Sequence, residues 1–271
     1  MVFSAIFADN LINIKQNSIQ MNSISISNET IQNQTYSGNY DSFDSYNVEF
    51  KECVLQDGQY ANVELNAVKF DLCRIGNCTW EGNEAQATFR QCLIDGSIMK
   101  HDQPSQYRFE GSIIAQKSRI SITGDGEILM ARCLCKDVAF CVQSFTADGV
   151  NGETGTFTPE FYNATDLSLY PVKGYEKLCY FEGCYFEGNS LPTNMRLSGC
   201  VFRNCVFHNI TFKKFWAEGC TFIDCEWIDC SLEREESGLS WFGKNGGMMY
   251  NIGFLGNNFI GCRGEEQIFG R

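Results

Sequence analysis

The residues of this 271-residue chain best equipped for chemistry are fifteen cysteines and two histidines. Nucleophilic catalysis needs a base beside the nucleophile. Only His101 and His208 could supply an imidazole, and neither adjoins a reactive-cysteine signature. Structural zinc needs closely spaced thiols that converge on one point. Here the recurring interval is five, as in Cys200, Cys205, Cys220, Cys225 and Cys230, which sends successive thiols to adjacent faces. Cys133, Cys135 and Cys141 lie closer together and read as small buried apolar residues. The odd cysteine count, with no basic leader before Asp9-Asn10, argues for reduced thiols rather than a disulfide scaffold. The carboxylate pairs Glu235-Glu236 and Glu265-Glu266 read as solvated edges. Gly124-Asp125-Gly126 reads as a turn, without the Lys and Ser/Thr of a phosphate loop. The expectation is a protein that is not an enzyme, with no cofactor and no metal site.

Lys and Arg number 21 against 33 Asp and Glu, a net charge of −12. That balance disfavours direct nucleic-acid binding, which needs clustered cations against phosphate. A hydrophobic content of 44% is too high for a disordered chain. No apolar run approaches the roughly 18 to 20 residues that span a bilayer. The expected location is cytoplasmic, with secretion into a host cell without a cleaved signal peptide as the alternative.

The elements that position the cysteines show themselves as a repeat. From Cys200 the chain reads CVFRN CVFHN ITFKK FWAEG CTFID CEWID CSL. A small or apolar residue precedes a Phe, Trp, Ala or Leu by two positions, every five residues. The pairs are Cys200/Phe202, Cys205/Phe207, Ile210/Phe212, Phe215/Ala217, Cys220/Phe222, Cys225/Trp227 and Cys230/Leu232. Upstream, Cys179/Phe181 and Cys184/Phe186 keep the spacing, and one extra residue enters before Met195/Leu197. A second block runs from Val48/Phe50 through Cys53/Leu55, Gly58/Tyr60 and Cys73/Ile75 to Cys78/Trp80. Period five fits neither the helix nor the ordinary strand.

This pattern resembles the pentapeptide-repeat family, strictly over residues 48–99 and 179–232 and loosely to 262. The resemblance implies an all-β fold: a right-handed, four-sided parallel β-helix, four pentads to a coil, with both residues of each pair pointing inward. If a coil takes twenty residues, Cys200 stacks on Cys220, Cys205 on Cys225, Phe202 on Phe222, Phe207 on Trp227 and Tyr60 on Trp80. These form a structural core ladder. Residues two past each central position, namely Gly183, Gly188, Asn204, Asn209, Gly219, Asp224 and Asp229, suit the corners.

The organisation then reads as follows. Residues 1–46, rich in Asn, Ser and Ile, are an irregular lead-in or a first coil, since Ile14, Ile19 and Ile24 keep the period. The same composition resembles type III secretion signals. Residues 47–145 form one β-helical segment, 146–178 interrupt it, and 179–271 form a second segment with a loop at 233–250. Outward positions of that second segment include Tyr180, Tyr185, Val201, Val206, Ile223 and Ile228. They predict an exposed apolar strip flanked by acids. Tyr180, Tyr185, Val206 and Ile228, with Trp241 and Phe242 of the 233–250 loop, are the candidate partner-binding residues. Trp241 and Phe242 either project to a partner or fold back to cap the solenoid.

Two functions follow. One is a non-catalytic scaffold that binds a protein partner, with enterobacterial effectors of this family as the nearest analogy. The alternative is a DNA-mimic inhibitor or protector of DNA gyrase, as in quinolone-resistance members. Arg203, Lys213 and Lys214 interrupt the acidic surface that such mimicry needs, and the chain ends without the apolar helix by which those members dimerise.

Overall fold

A computed structural model describes residues 22–148, 179–233 and 252–270. Its strands wind as an all-β parallel solenoid of about nine turns, with one helical turn among the described residues, at Glu266–Phe269. Every paired strand lies parallel to its neighbour in the next turn. Twenty residues typically separate stacked positions: Phe202 pairs with Phe222, Phe207 with Trp227 and Leu55 with Ile75.

The strands group into three sheets among the described residues. The first holds thirteen strands, from Ser23–Ser27 through Val63–Asp71 to Thr211–Glu218 and Ile252–Leu255. The second holds ten, from Thr35–Ser37 to Asn258–Ile260, and the third eight, from Gln59–Tyr60 to Glu226–Ile228. The described strands therefore form three sheets and not the four sides expected from the sequence. Two long strands contribute to this, since Val63–Asp71 and Thr211–Glu218 each pair with two separate strands of the same sheet. Val63–Asp71 pairs with both Ser42–Tyr46 and Glu49–Lys51.

Alternate residues of each strand point inward, and the inward set recurs at five. Cys200, Phe202, Cys205, Phe207, Cys220, Phe222 and Cys225 are fully buried, and Trp227 is nearly so. Like stacks on like. The Phe181, Phe202, Phe222 and Phe259 rings lie 4.7, 4.9 and 5.0 Å apart and almost parallel. Phe186, Phe207 and Trp227 follow at 4.8 and 5.0 Å. A further column joins Phe50, Phe70, Phe89 and Phe109. Offset-stacked rings add about 0.5–1.5 kcal/mol each beyond their burial. Tyr60 pairs with Trp80 in the expected register, but the two rings meet edge to face at 6.0 Å.

The buried cysteines act as more than small apolar fillers. Cys200 Sγ donates to the carbonyls of Ala147 and Ser198, both at 3.3 Å. Cys205 donates to Phe181 and Arg203, and Cys225 to Phe202 and Ile223. Ser112 occupies the equivalent place in its turn. Its Oγ donates to Phe89 and Glu110 and also accepts from the Cys92 N–H. The position calls for a small donor that answers carbonyls which the interstrand ladder leaves with spare acceptor capacity.

Corners are built from left-handed residues. Asn204, Asn209, Asp224 and Asp229 take φ between 51 and 53°, and Gly183 and Gly219 take 61°. Gly188 is different: its φ is not positive, and it is required by space, because a Cβ there would lie 1.7 Å from the Asn209 carbonyl oxygen.

Residues 22–46, within the Asn- and Ser-rich start, contribute regular strands to the solenoid. The strand Ser144–Asp148 belongs to the first sheet, so the middle interruption begins after Asp148. It enters at one corner. In neighbouring turns a single left-handed residue joins the first sheet to the second, as Leu72 joins Phe70-Asp71 to Cys73 and Gly199 joins Leu197-Ser198 to Cys200. Residues 149–178 stand in place of that one residue between Asp148 and Cys179. Similarly, 234–251 stand where Ala67 joins Leu65-Asn66 to Val68 in an earlier turn.

The C-terminal end is closed by the Glu266–Phe269 turn, which stops at Gly270 with φ of 68°. Ile268 is buried, and the Phe269 ring packs on Phe222, Trp227, Phe254 and Phe259.

Candidate interaction surface

On the outside of the third sheet, Tyr185–Val206–Glu226 and Glu187–His208–Ile228 run as two adjacent rows. Tyr185 lies beside Val206, and His208 beside Ile228. Tyr185 and Val206 are half-buried, while Ile228 is 40% exposed. The Tyr185 and His208 rings sit 5.8 Å apart at a 32° tilt. Ion pairs lie within these rows: Arg119 meets Glu187 at 3.0 Å, and Arg263 meets Glu226. Burial, then the Glu187 carboxylate, raises the Tyr185 phenol, so it remains a neutral hydrogen-bonding group.

Tyr180 joins neither row. It lies on the second sheet beside Val201, and both are only 7% exposed, so neither offers a free surface. The strip predicted from sequence thus divides between two sheets and loses two members. Trp241 and Phe242 lie outside the described residues. The described cap of the solenoid uses Ile268 and Phe269, whose role the GCRGEEQIFGR end did not announce.

Burial pushes the Cys135 thiol well up and the Cys78 and Cys230 thiols to about 11, whereas hydrogen bonds from Cys200 lower Cys179 and Cys220 and one from Cys205 lowers Cys225. No group of His, Cys, Asp and Glu among the described residues could hold a metal ion. No helix among them is long and apolar enough to cross a membrane.

Two features escaped the sequence reading. The first is His101, fully buried at the end of the strand Ile98–His101. Its Nε2 is hydrogen-bonded to the Tyr107 hydroxyl, and Nδ1 has no partner among the described residues. Burial drives its pKa down to about 4, against a smaller upward pull from Asp102. The second is a shallow groove on the first sheet where Asp44, Glu64 and Glu84 come together with Tyr46, Asn66 and Pro104. Asp44 and Glu64 are direct cross-strand partners. Their spacing of twenty was visible in the sequence, once the coil length was applied to outward residues as well as inward ones.

Compared with protein-family models and with curated proteins, the chain matches none.

Proposed function

We propose that this chain is a non-catalytic scaffold that binds a protein partner through the third-sheet patch of Tyr185, Val206, His208 and Ile228. The observation that carries the reading is this patch: Tyr185, Val206, His208 and Ile228 side by side on a parallel sheet, with the Arg119–Glu187 and Arg263–Glu226 pairs interleaved. Apolar side chains mixed with charged pairs on a sheet surface suit protein recognition. The underlying coil is proposed to be right-handed and four-sided, of the pentapeptide-repeat kind. Inward pairs recurring at five, stacked positions twenty apart and a corner inside Val63–Asp71 support it.

The test is affinity capture with the wild type and with a Tyr185→Glu, Ile228→Glu double variant, each shown by circular dichroism to be folded. A partner held by the wild type and lost by the variant supports the reading; a partner retained equally by both refutes it.

The acidic row Asp44, Glu64 and Glu84 favours a second reading, in which the outer surface imitates nucleic acid to inhibit or protect gyrase. A supercoiling assay decides it, and no effect at micromolar protein removes it. The secreted-effector form of the first reading rests on the composition of residues 1–46. It is tested by fusing that segment to a reporter and measuring export through a type III apparatus.

A further inference from the structure

Cys184, Cys205, Cys225 and Cys262 stand one above another where the second sheet turns into the third. In each coil the residue after the cysteine donates its N–H to the carbonyl of the cysteine one coil earlier: Val206 to Cys184 at 2.9 Å, Glu226 to Cys205 at 3.0 Å and Arg263 to Cys225 at 3.0 Å. Cys262 therefore lies directly over Cys225, and the pairing of Ile223 with Ile260 and of Glu226 with Arg263 fixes that register on either side. The two thiols point the same way. Cys225 Sγ donates to the carbonyls of Phe202 and Ile223, and Cys262 Sγ to those of Phe222 and Ile260, one coil further on. Two asymmetries set this last pair apart. The described residues hold all fifteen cysteines, of which fourteen are buried and Cys262 only partly so. Asn258–Ile260, which leads into Cys262, is also the end strand of the second sheet among the described residues, whereas the strand after Cys205 has a neighbour on both sides.

We propose that Cys262 and Cys225 form a thiol-exchange site, which a small disulfide of the glutathione disulfide class converts into a bond tying the last coil to the one before it. Neighbouring strands lie about 4.8 Å apart, so the two Cα atoms fall inside the roughly 4.4–6.8 Å window of a disulfide. Parallel Cβ atoms at that spacing stand a few tenths of an ångström outside the roughly 3.5–4.5 Å that the bond prefers. An end coil can give that much. A coil held by hydrogen bonds on both sides, such as that of Cys205, cannot do so without breaking its ladder. The chemistry runs in two exchanges. The Cys262 thiolate attacks one sulfur of the small disulfide and expels the other as a thiolate. The Cys225 thiolate then attacks Cys262 Sγ, breaks the mixed disulfide and releases the second small thiolate. Two protein thiols thereby lose two protons and two electrons, and one small disulfide becomes two thiols. The two environments suit these roles. Cys262 is met first because it alone is partly exposed, although burial raises its thiol and slows that exchange. A hydrogen bond from Cys205 lowers the Cys225 thiol and eases the closure. The slight misfit of the Cβ atoms keeps the bond easy to reduce, so the couple follows the thiol–disulfide balance around it.

The test incubates the folded full chain with glutathione disulfide at pH 8.5, quenches with acid, counts thiols after unfolding and maps the products by peptide mass spectrometry. The wild type should lose two of its fifteen thiols, carry no glutathione and show Cys225 joined to Cys262. Dithiothreitol should restore both thiols. Cys225→Ser, which keeps a donor for the Phe202 and Ile223 carbonyls, should stop with one glutathione on Cys262. Cys262→Ser should react at neither position. Glutathione left on Cys262 in the wild type, a disulfide between two chains, an equal loss of thiols in Cys262→Ser, or no reaction at all overturns the proposal. Circular dichroism first shows that each variant is folded. Should either fail to fold, the wild-type peptide map decides alone: a Cys225–Cys262 bond supports the proposal, and any other pairing refutes it.

Discussion

Acid should weaken this protein through His101, by an amount that its burial sets. The ring is fully buried, bonded to Tyr107 on one side and unpartnered on the other among the described residues, and its pKa falls from 6.5 to about 4. Because the folded value lies below the unfolded one, the unfolded chain binds the extra proton between pH 6.5 and 4. Stability therefore rises with pH across that window, by about 1.4 kcal/mol per pH unit at most. The contribution is whole above pH 6.5 and gone below pH 4, a span of about 3 kcal/mol. The assay is urea unfolding followed by circular dichroism at pH 7.5, 6.5, 5.5 and 4.5, on wild type and His101→Gln. Carboxylates titrate alike in both proteins, so the difference between the two curves isolates the histidine. The wild type should lose stability relative to the variant as pH falls from 6.5 toward 4. A difference that stays flat over that range refutes the reasoning, and with it the placement of His101 in the core.

Other substitutions probe the solenoid itself. Phe202→Ala removes a ring stacked on both sides and should cost about 3–5 kcal/mol in urea unfolding, whereas Val206→Ala on the outer row should cost about 1 kcal/mol or less. Gly219→Ala meets nothing within 4 Å and should cost only its left-handed strain, about 1–2 kcal/mol. Gly188→Ala places its Cβ on the Asn209 carbonyl and should lower the melting temperature considerably more. Cys200→Ser keeps a donor for the Ala147 and Ser198 carbonyls, as Ser112 does in its own turn, and should melt above Cys200→Ala. The reverse order would reduce the thiol to a space-filler.

The solenoid was legible because a side-chain ladder writes its period directly into the sequence. Cys200, Phe202, Cys205 and Phe207 must each find a like neighbour one coil away, and the residues repeat accordingly. Corners were legible for the same reason, Asn204 and Asp224 being tolerant of left-handed backbone. The sheet count was less so, since whether the chain bends sharply or runs on at residues 66 and 67 depends on backbone detail that period five does not encode. Exposure was harder still. Tyr180 and Tyr185 look alike in CYFEG CYFEG, yet burial hides the first and only half covers the second. The burial of His101 was not legible, because a strand can carry its last side chain inward without keeping the period.

A bend that one left-handed residue can make is also a place where thirty can hang, because both ends emerge where the missing residue stood. Material grafted there leaves the stacking above and below untouched, so lineages could try new appendages without first re-tuning the rod. The Asp148–Cys179 and Glu233–Ile252 junctions are two sockets of this sort in one molecule. They mark where peptide epitopes could be displayed by design at small cost to the frame.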